Sequence, residues 1–166
     1  IKALCEELEV EYHIAKTDIG NIIFEERKEA SPCSLCAKMR KGSLNDTVKA
    51  LGCNKVAYAH HMDDIVETMF LSLIYEGRFH SFSPVTYLDR MDLTLIRPLM
   101  YMDEMDVIGF TNKYDLPVTK SRCPMDGYTK REYAKELVRQ LNKEHPGARE
   151  RMFTAIYNGS IKGWEK

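Results

Sequence analysis

The chain has 166 residues, of which 44% are hydrophobic, and this size and composition suit one compact domain with a hydrophobic core. Its formal net charge of -1 excludes a global basic field, so contact with a nucleic acid would need a local patch. The apolar stretch 69–75 falls far short of the roughly 20 residues of a membrane helix, and we expect a cytoplasmic protein without membrane contact.

The first predicted element is the end of an amphipathic helix at residues 1–8, so we expect further residues upstream. A strand follows, because Tyr12 to Ile19 alternates between apolar and polar residues. Gly20 then begins a polar loop that runs to Ala30.

A long helix is predicted from Cys33 to Leu51. Ser31 is a typical N-cap, Pro32 fits the first helical position, and Gly52 ends the helix. This pattern predicts both ends of the helix from local signals alone.

A strand buried on both faces is predicted at Lys55–His60, because the run 56–59 is unbroken and apolar, and such a strand lies inside a parallel sheet. A helix should begin at Asp63 or Asp64 and end at Gly77.

Further strands and helices alternate along the rest of the chain. Leu93–Ile96 is a short apolar strand, Asp103–Tyr114 and Thr129–Asn142 are amphipathic helices, and segment 146–166 is expected on the surface. This alternation predicts an α/β fold with a doubly wound parallel sheet, in which ligands bind at the carboxyl ends of the strands.

Two imidazoles and two carboxylates lie where the predicted strand turns into a helix: His60, His61, Asp63 and Asp64. In a doubly wound sheet this junction faces the ligand crevice. Carboxylates suit Mg²⁺ bound to phosphates, and a helix amino terminus favours anions. The alternative is that Asp64 caps the helix and Glu67 completes a capping box.

The five cysteines are an odd number, which favours metal or redox use over a disulfide framework. Cys33 and Cys36 lie three residues apart on one helix face, Cys123 lies in a turn-rich loop, and Cys5 and Cys53 fit plain packing positions. A CxxC pair serves structural zinc, thiol exchange or iron–sulfur ligation. Three thiolates leave a tetrahedral zinc site one ligand short, which favours a cluster.

A local basic surplus lies near the carboxyl end, where seven Lys or Arg residues stand against four Glu between Tyr128 and Arg151. Such a segment can bind phosphates. Mixed charges at helical spacing are also typical of a solvated helix face.

Four motifs, in this order, resemble the tRNA 2-thiocytidine biosynthesis family. They are CSLCAKMRKG at 33–42, AHHMDDIVETMF at 59–70, IRPL at 96–99 and the cysteine loop that leads to Arg131. The resemblance covers nearly the whole chain, from about residue 31 to the segment PGARERMF at 146–153.

The resemblance implies an ATP pyrophosphatase fold of the adenine nucleotide α-hydrolase type. We expect a single PP-loop ATPase-type domain over residues 1–166, with a C-terminal helical extension at 128–166. The implied activity is tRNA thiolation, in which a tRNA base, cytidine, is activated as an adenylate before sulfur replaces oxygen. The implied cofactors are ATP, Mg²⁺ and a [4Fe-4S] cluster. The implied partners are tRNA and a sulfur donor such as a cysteine desulfurase, and a homodimer is compatible with the resemblance.

Particular residues match the family's functional positions. Cys33, Cys36 and Cys123 match its catalytic [4Fe-4S] ligands. His60, Asp63 and Asp64 match its nucleotide and Mg²⁺ region, and Arg97 lies where a phosphate contact is expected. The candidate RNA contacts are the basic residues Arg40, Lys41, Lys130 and Arg131.

The sequence departs from the family pattern at two points. The glycine-rich pyrophosphate loop of the SGGxDS type is absent from these residues, so we expect it upstream of Ile1 and expect this chain alone not to bind ATP properly. Lys120 stands where many members have another cysteine, which suggests a divergent branch and leaves the modified base open.

Two other functions are compatible with the motifs. A relative of the lysidine-forming synthetase would share the nucleotide fold and adenylate tRNA, but it would need no cluster. A zinc-stabilised RNA-binding module would use the three cysteines and a histidine without catalysis. Metal analysis separates these functions, since thiolation requires iron with sulfide, lysidine formation requires no bound metal and the binding module requires zinc.

Overall fold

The computed structural model describes residues 1–29 and 31–159. The chain divides into two compact units. The first consists of Ile1–Ala57, Val85–Ile96 and Thr111–Asp126, and the second of Tyr58–Pro84, Arg97–Phe110 and the described residues from Gly127 onward. No helix in the described ranges has the length and apolar character needed to cross a membrane.

The helices of the first unit precede its sheet. They are α1 (Lys2–Glu7), α2 (Ile19–Asn21), which continues as a π-helical turn at Ile22–Glu26, and α3 (Pro32–Ala50). Helix α3 begins as predicted, with Ser31 as its N-cap and proline in the first turn. Gly52 follows its end at φ 73°, a left-handed conformation that glycine adopts without steric cost.

The strand predicted at Tyr12–Ile19 is wrong. The segment has no regular structure before Asp18, and a helix begins at its last residue. No described strand pairs with it, and Tyr12 and Ile14 are exposed, so its alternating pattern has neither a hydrogen-bonded neighbour nor a buried face. The loop predicted next is also partly wrong, because Ile23 is fully buried within the π-helical turn.

The first unit contains a three-stranded sheet with the order β1-β3-β2. Strands β1 (Lys55–Ala57) and β3 (Leu93–Ile96) pair in parallel, which confirms that these two segments belong to one sheet and run in the same direction. Leu93 and Leu95 of β3 are buried and form part of the core.

Two features of the sheet differ from the prediction. Strand β2 (Val85–Leu88) was not predicted, and it pairs antiparallel with β3 through a short connection in which Asp92 adopts φ 48°. In the described sheet β1 lies at the edge and ends at Ala57, so it is neither interior nor buried on both faces. Only Val56 of β1 is buried, because β3 occupies the central position instead.

The second unit is helical. It contains α4 (Met62–Glu76), most of α5 (Glu104–Lys113), α6 (Lys130–Glu144) and α7 (Ala148–Asn158). Helix α4 contacts both α6 and α7. The core of this unit includes Ile65 and Val66 from α4 and Ala134 and Val138 from α6, all of them buried.

The ends of these helices agree with the local signals in the sequence. Gly77 ends α4 at φ 63°, and the Thr129 hydroxyl caps α6 by accepting the backbone N–H of Glu132 at 3.2 Å. The segment predicted to lie on the surface forms α7, and its residues 160–166 lie outside the described part of the chain.

Candidate functional site

The predicted cluster of histidines and aspartates lies at the amino terminus of α4. The helix begins at Met62 with His61 as its N-cap, and the Asp64 carboxylate accepts the His61 backbone N–H at 3.1 Å. Asp64 therefore helps to cap the helix from its third position and is not the cap residue itself. Glu67 takes no part in the capping box, because it is buried one turn further along.

Asp63 has a protein partner at each carboxylate oxygen. Its Oδ1 pairs with Nη1 of Arg149 at 2.8 Å, and its Oδ2 accepts the backbone N–H of Glu104 at 2.7 Å. Burial raises the pKa of this carboxyl group, but the Glu104 amide and the Arg149 guanidinium outweigh that effect and hold it below the usual value. Asp63 is therefore an ionised anchor at the start of α4.

Arg149 bridges several elements of the second unit. Its Nη2 contacts Asp103 at 2.8 Å and Glu150 at 2.7 Å, in addition to the Nη1 contact with Asp63. Its backbone N–H donates to Asn142 Oδ1 at 3.1 Å. In the sequence, Arg149 was noted only as one of the basic residues near the carboxyl end and as part of the segment PGARERMF. Its role as a fork, a guanidinium shared by three carboxylates, was missed.

Arg131 points towards α4. Its Nη1 contacts Asp64 and Glu67, each at 3.2 Å, and its Nη2 donates to the Thr68 hydroxyl at 3.3 Å. The guanidinium predicted to contact RNA thus holds three acceptors on the first two turns of that helix. Lys130, its neighbour, lies over the ring of Tyr75 at 4.3 Å.

Glu67, which the sequence offered as a member of the capping box, is instead a buried acidic group. Its side chain is only 5% exposed, and burial raises its pKa to about 7 against the opposing charge of Arg131. It lines a cleft of about 280 Å³ together with Asp63, Glu104, Lys135, Arg139 and Arg149. Lys135 pairs with Glu104 at 2.5 Å on the same cleft wall.

The raised pKa of Glu67 predicts a pH-dependent stability. The folded state keeps this proton to a higher pH than the unfolded chain, so the group's contribution to stability is full below the unfolded pKa and falls as the pH rises to about 7. The amide introduced by Glu67→Gln does not titrate. We therefore expect the free energy of unfolding of Glu67→Gln, relative to wild type, to rise by about 1–3 kcal/mol between pH 5 and pH 8.

Urea unfolding of both proteins across that pH range measures this difference. Glu136→Gln is the matched control, because Glu136 is an exposed carboxylate of α6 that lies 3.9 Å from Arg139. A difference between wild type and Glu67→Gln that stays flat with pH would mean that Glu67 is already ionised at pH 5.

His60 and Arg97, two residues predicted at the nucleotide site, are in contact. Arg97 Nε donates to His60 Nδ1 at 3.3 Å, and Arg97 Nη1 donates to the Ser83 carbonyl at 2.5 Å. The imidazole stacks on Phe82 with ring centroids 4.4 Å apart. Burial lowers the pKa of His60, and the nearby Arg97 lowers it further, although Asp64 acts in the opposite direction.

The three cysteines predicted to bind a cluster all belong to the first unit. Cys33 and Cys36 lie on the first turns of α3, Cys123 lies in an irregular segment, and all three are free thiols. Thiolates of this kind suit iron–sulfur ligation. Among residues 1–29 and 31–159, no three His, Cys, Asp or Glu side chains are arranged to hold a single metal ion. A cluster spaces its ligands more widely, because each thiolate binds a different iron, so the assignment of the three cysteines to a cluster stays a prediction.

The remaining candidates are exposed or already paired. Arg40 and Lys41 are exposed on α3, where they are accessible to a polyanion. Carboxylate oxygens are the right chemistry for Mg²⁺, but Asp63 and Asp64 both hold arginines and backbone amides here. Their assignment to Mg²⁺ therefore stays a prediction.

Sequence comparison identifies relatives over most of the chain. A family model described as a PP-loop domain matches residues 1–141. The tRNA-cytidine(32) 2-sulfurtransferase of Citrifermentans bemidjiense is 37% identical over 150 residues, which cover 89% of this chain and 59% of that protein. The enzyme of the same name from Aliivibrio fischeri is 37% identical over 155 residues, which cover 92% and 50%. The chain thus spans about half to three-fifths of the length of these relatives.

Structural comparison identifies the same fold in a solved protein. The U34-tRNA thiolase NcsA from Methanococcus maripaludis, solved with its [4Fe-4S] cluster, superposes with a TM-score of 0.73 at 24% sequence identity. The match covers 99% of this chain and 57% of the thiolase. Together with the PP-loop family match, it confirms the predicted α/β fold of the adenine nucleotide α-hydrolase type.

Proposed function

The chain belongs to the family of PP-loop domains, and from that membership we propose that it forms part of an ATP-dependent tRNA sulfurtransferase. The observation that carries the proposal is the similarity over 89% of the chain to a tRNA-cytidine(32) 2-sulfurtransferase. The three free cysteines and the polar cluster at α4 supply the residue types that two successive half-reactions require.

The proposed reaction exchanges oxygen for sulfur at C2 of a tRNA cytidine. The C2 oxygen attacks the α-phosphorus of ATP, a new P–O bond forms, and pyrophosphate leaves with the electron pair of the broken P–O bond. A sulfur nucleophile then forms a bond to C2, and AMP leaves with the electron pair of the broken C–O bond. Adenylation makes the oxygen a leaving group, so sulfur transfer can follow.

We assign the two half-reactions to different residues. His60 and Arg97 are the proposed contacts for the phosphates of ATP, and the amino terminus of α4 adds favourable backbone N–H groups. Cys33, Cys36 and Cys123 are the proposed ligands of an iron–sulfur centre, which supplies the sulfur when bound. The proposed partners are tRNA and a sulfur-donating protein such as a cysteine desulfurase, in the cytoplasm.

The test combines two measurements on the whole protein with ATP, Mg²⁺, a sulfide source and a tRNA transcript. We expect pyrophosphate release that depends on tRNA, and mass spectrometry of the digested tRNA should show cytidine with one oxygen replaced by sulfur. A nucleoside heavier by a lysine residue would instead identify a lysidine-forming enzyme. Zinc in the anaerobic protein without any pyrophosphate release would identify a binding module.

Asp63 offers a sharper test of the adenylation half-reaction. Because its carboxylate anchors the start of α4, we expect Asp63→Asn to lower pyrophosphate release on the order of 10- to 100-fold in the whole protein. Asp106→Asn is the matched control, since Asp106 is an exposed carboxylate of α5, and it should stay near wild type. Normal release by Asp63→Asn would limit that carboxylate to a role in the fold.

A further inference from the structure

The contact between Arg97 and His60 determines where the imidazole carries its proton. Arg97 Nε is a donor and His60 Nδ1 lies 3.3 Å from it. A guanidinium has no acceptor atom, so the bond requires an unprotonated Nδ1 with its lone pair towards the arginine. A neutral imidazole with an unprotonated Nδ1 carries its proton on Nε2.

The surroundings hold both side chains in this arrangement. Arg97 is 9% exposed and is anchored through Nη1 to the Ser83 carbonyl. Phe82 stacks on the imidazole at an interplanar angle of 24°, and the Arg97 guanidinium carbon lies 4.9 Å from the centroid of the same ring. Tyr58 contacts the imidazole edge-on at 5.4 Å. Turning the ring over would break the arginine bond and disturb these ring contacts.

Charge favours the same state. Protonation at Nδ1 would remove the hydrogen bond and place an imidazolium beside a guanidinium. Burial opposes the charged imidazole most strongly, and among the surrounding groups Arg97, Arg131 and His61 also oppose it, whereas Asp64 favours it. These contributions leave His60 neutral near physiological pH, with its pKa below the usual value.

We propose that Arg97 is a positioning residue that fixes His60 as the neutral Nε2–H tautomer, so that His60 donates a hydrogen bond to an anionic oxygen of the nucleotide and does not act as a base. The tautomer of His60 follows from the geometry of its contact with Arg97. The donation to the nucleotide rests on the proposed function, because the nucleotide supplies the anionic oxygen. Nε2 is the ring nitrogen that does not bind Arg97, and the His60 side chain is only partly buried.

Nitrogen NMR of the whole protein with ¹⁵N-labelled histidine tests the tautomer directly. The His60 signals are identified by their loss in His60→Gln. We expect Nδ1 to show the shift of an unprotonated ring nitrogen and Nε2 that of a protonated one, without averaging. His145 is an internal reference, because it is exposed and its ring makes no hydrogen bond among the described residues, so its neutral ring should average between tautomers.

Two variants separate the arginine bond from the ring stack. Arg97→Met should move the His60 signals towards the averaged values of the reference histidine, because the donor to Nδ1 is lost. Phe82→Leu removes the stacked ring but keeps the arginine, so it should keep the single tautomer. An Nδ1–H tautomer or averaged signals in wild type would overturn the inference without any variant. An unchanged tautomer in folded Arg97→Met would overturn the role of the arginine.

Two substitutions of His60 test its role as a donor. Glutamine places its amide N–H₂ near the position of Nε2, whereas asparagine places it near Nδ1. We expect His60→Gln to keep pyrophosphate release within about tenfold of wild type and His60→Asn to lose on the order of 100-fold. Equal losses in both variants would overturn the donor role. Wild type that shows the single tautomer but never releases pyrophosphate would refute the proposed function and leave the tautomer standing.

Discussion

Cys123→Ser should abolish tRNA thiolation in the whole protein and leave ATP-dependent adenylation within about twofold of wild type. A serine hydroxyl stays protonated at neutral pH and is a much weaker ligand for iron than a cysteine thiolate. The proposed contacts of adenylation, His60 and Arg97, belong to other segments of the chain. Pyrophosphate release and the thiocytidine content of the tRNA, measured in the same samples, separate the two half-reactions.

The other cysteines provide controls for this prediction. Cys33→Ser and Cys36→Ser should behave as Cys123→Ser does, and anaerobic protein carrying any of the three changes should lose its iron and sulfide. Cys53→Ser is the matched control, since Cys53 is an exposed free thiol outside the trio, and it should keep both cluster and activity. If Cys123→Ser lost adenylation and thiolation together, the thiol would belong to a structural metal site instead.

The proposed cluster should also affect the stability of the protein. The three cysteines all belong to the first unit, with one pair on α3 and Cys123 in an irregular segment. A cluster that joins these segments would bind the folded chain in preference to the unfolded one. Reconstitution with iron and sulfide should therefore raise the unfolding temperature of wild type but not of Cys123→Ser.

Local signals in the sequence predicted the helices well. Pro32 in the first turn of α3, the hydroxyl cap of Thr129 and the left-handed Gly77 each act within one helical turn. The parallel orientation of β1 and β3 could be predicted because short apolar strands alternate with helices along this part of the chain. These features depend on neighbours in sequence or on simple burial.

The errors arose where a partner distant in sequence decides the outcome. Tyr12–Ile19 alternates as a strand does, but no described strand pairs with it. Glu67 fitted a capping box, yet the structure pairs it with Arg131, 64 residues away. Arg149 meets Asp63 across 86 residues of sequence, and no periodicity or spacing could indicate that contact.

That long-range contact predicts the largest loss of stability. Arg149→Met should lower the free energy of unfolding by about 2–4 kcal/mol, because it leaves the partly buried carboxylates of Asp63 and Asp103 without their common guanidinium. The three side chains are between 13% and 31% exposed, so water compensates only part of this loss. Urea unfolding of the whole protein measures the difference from wild type.

Asp63→Asn removes the other side of the same pair and should cost less, about 1–2 kcal/mol, because Arg149 keeps its contacts with Asp103 and Glu150. The double variant should be more stable than the sum of the two single losses predicts, by about 1 kcal/mol, since no unpaired carboxylate remains at Asp63. A larger loss of stability in Arg149→Met than in Asp63→Asn is expected when one guanidinium is shared by several carboxylates.

Arg151→Met is the matched control on the same helix. Arg151 is exposed and its guanidinium contacts only the carbonyl oxygens of His145 and Pro146 among the described residues, so its loss should stay within about 0.5 kcal/mol. If Arg149→Met cost as little as this control, the fork would be an ordinary surface ion pair. A loss several times larger, together with the predicted coupling to Asp63, would identify Arg149 as the residue that fixes the start of α4 in the second unit.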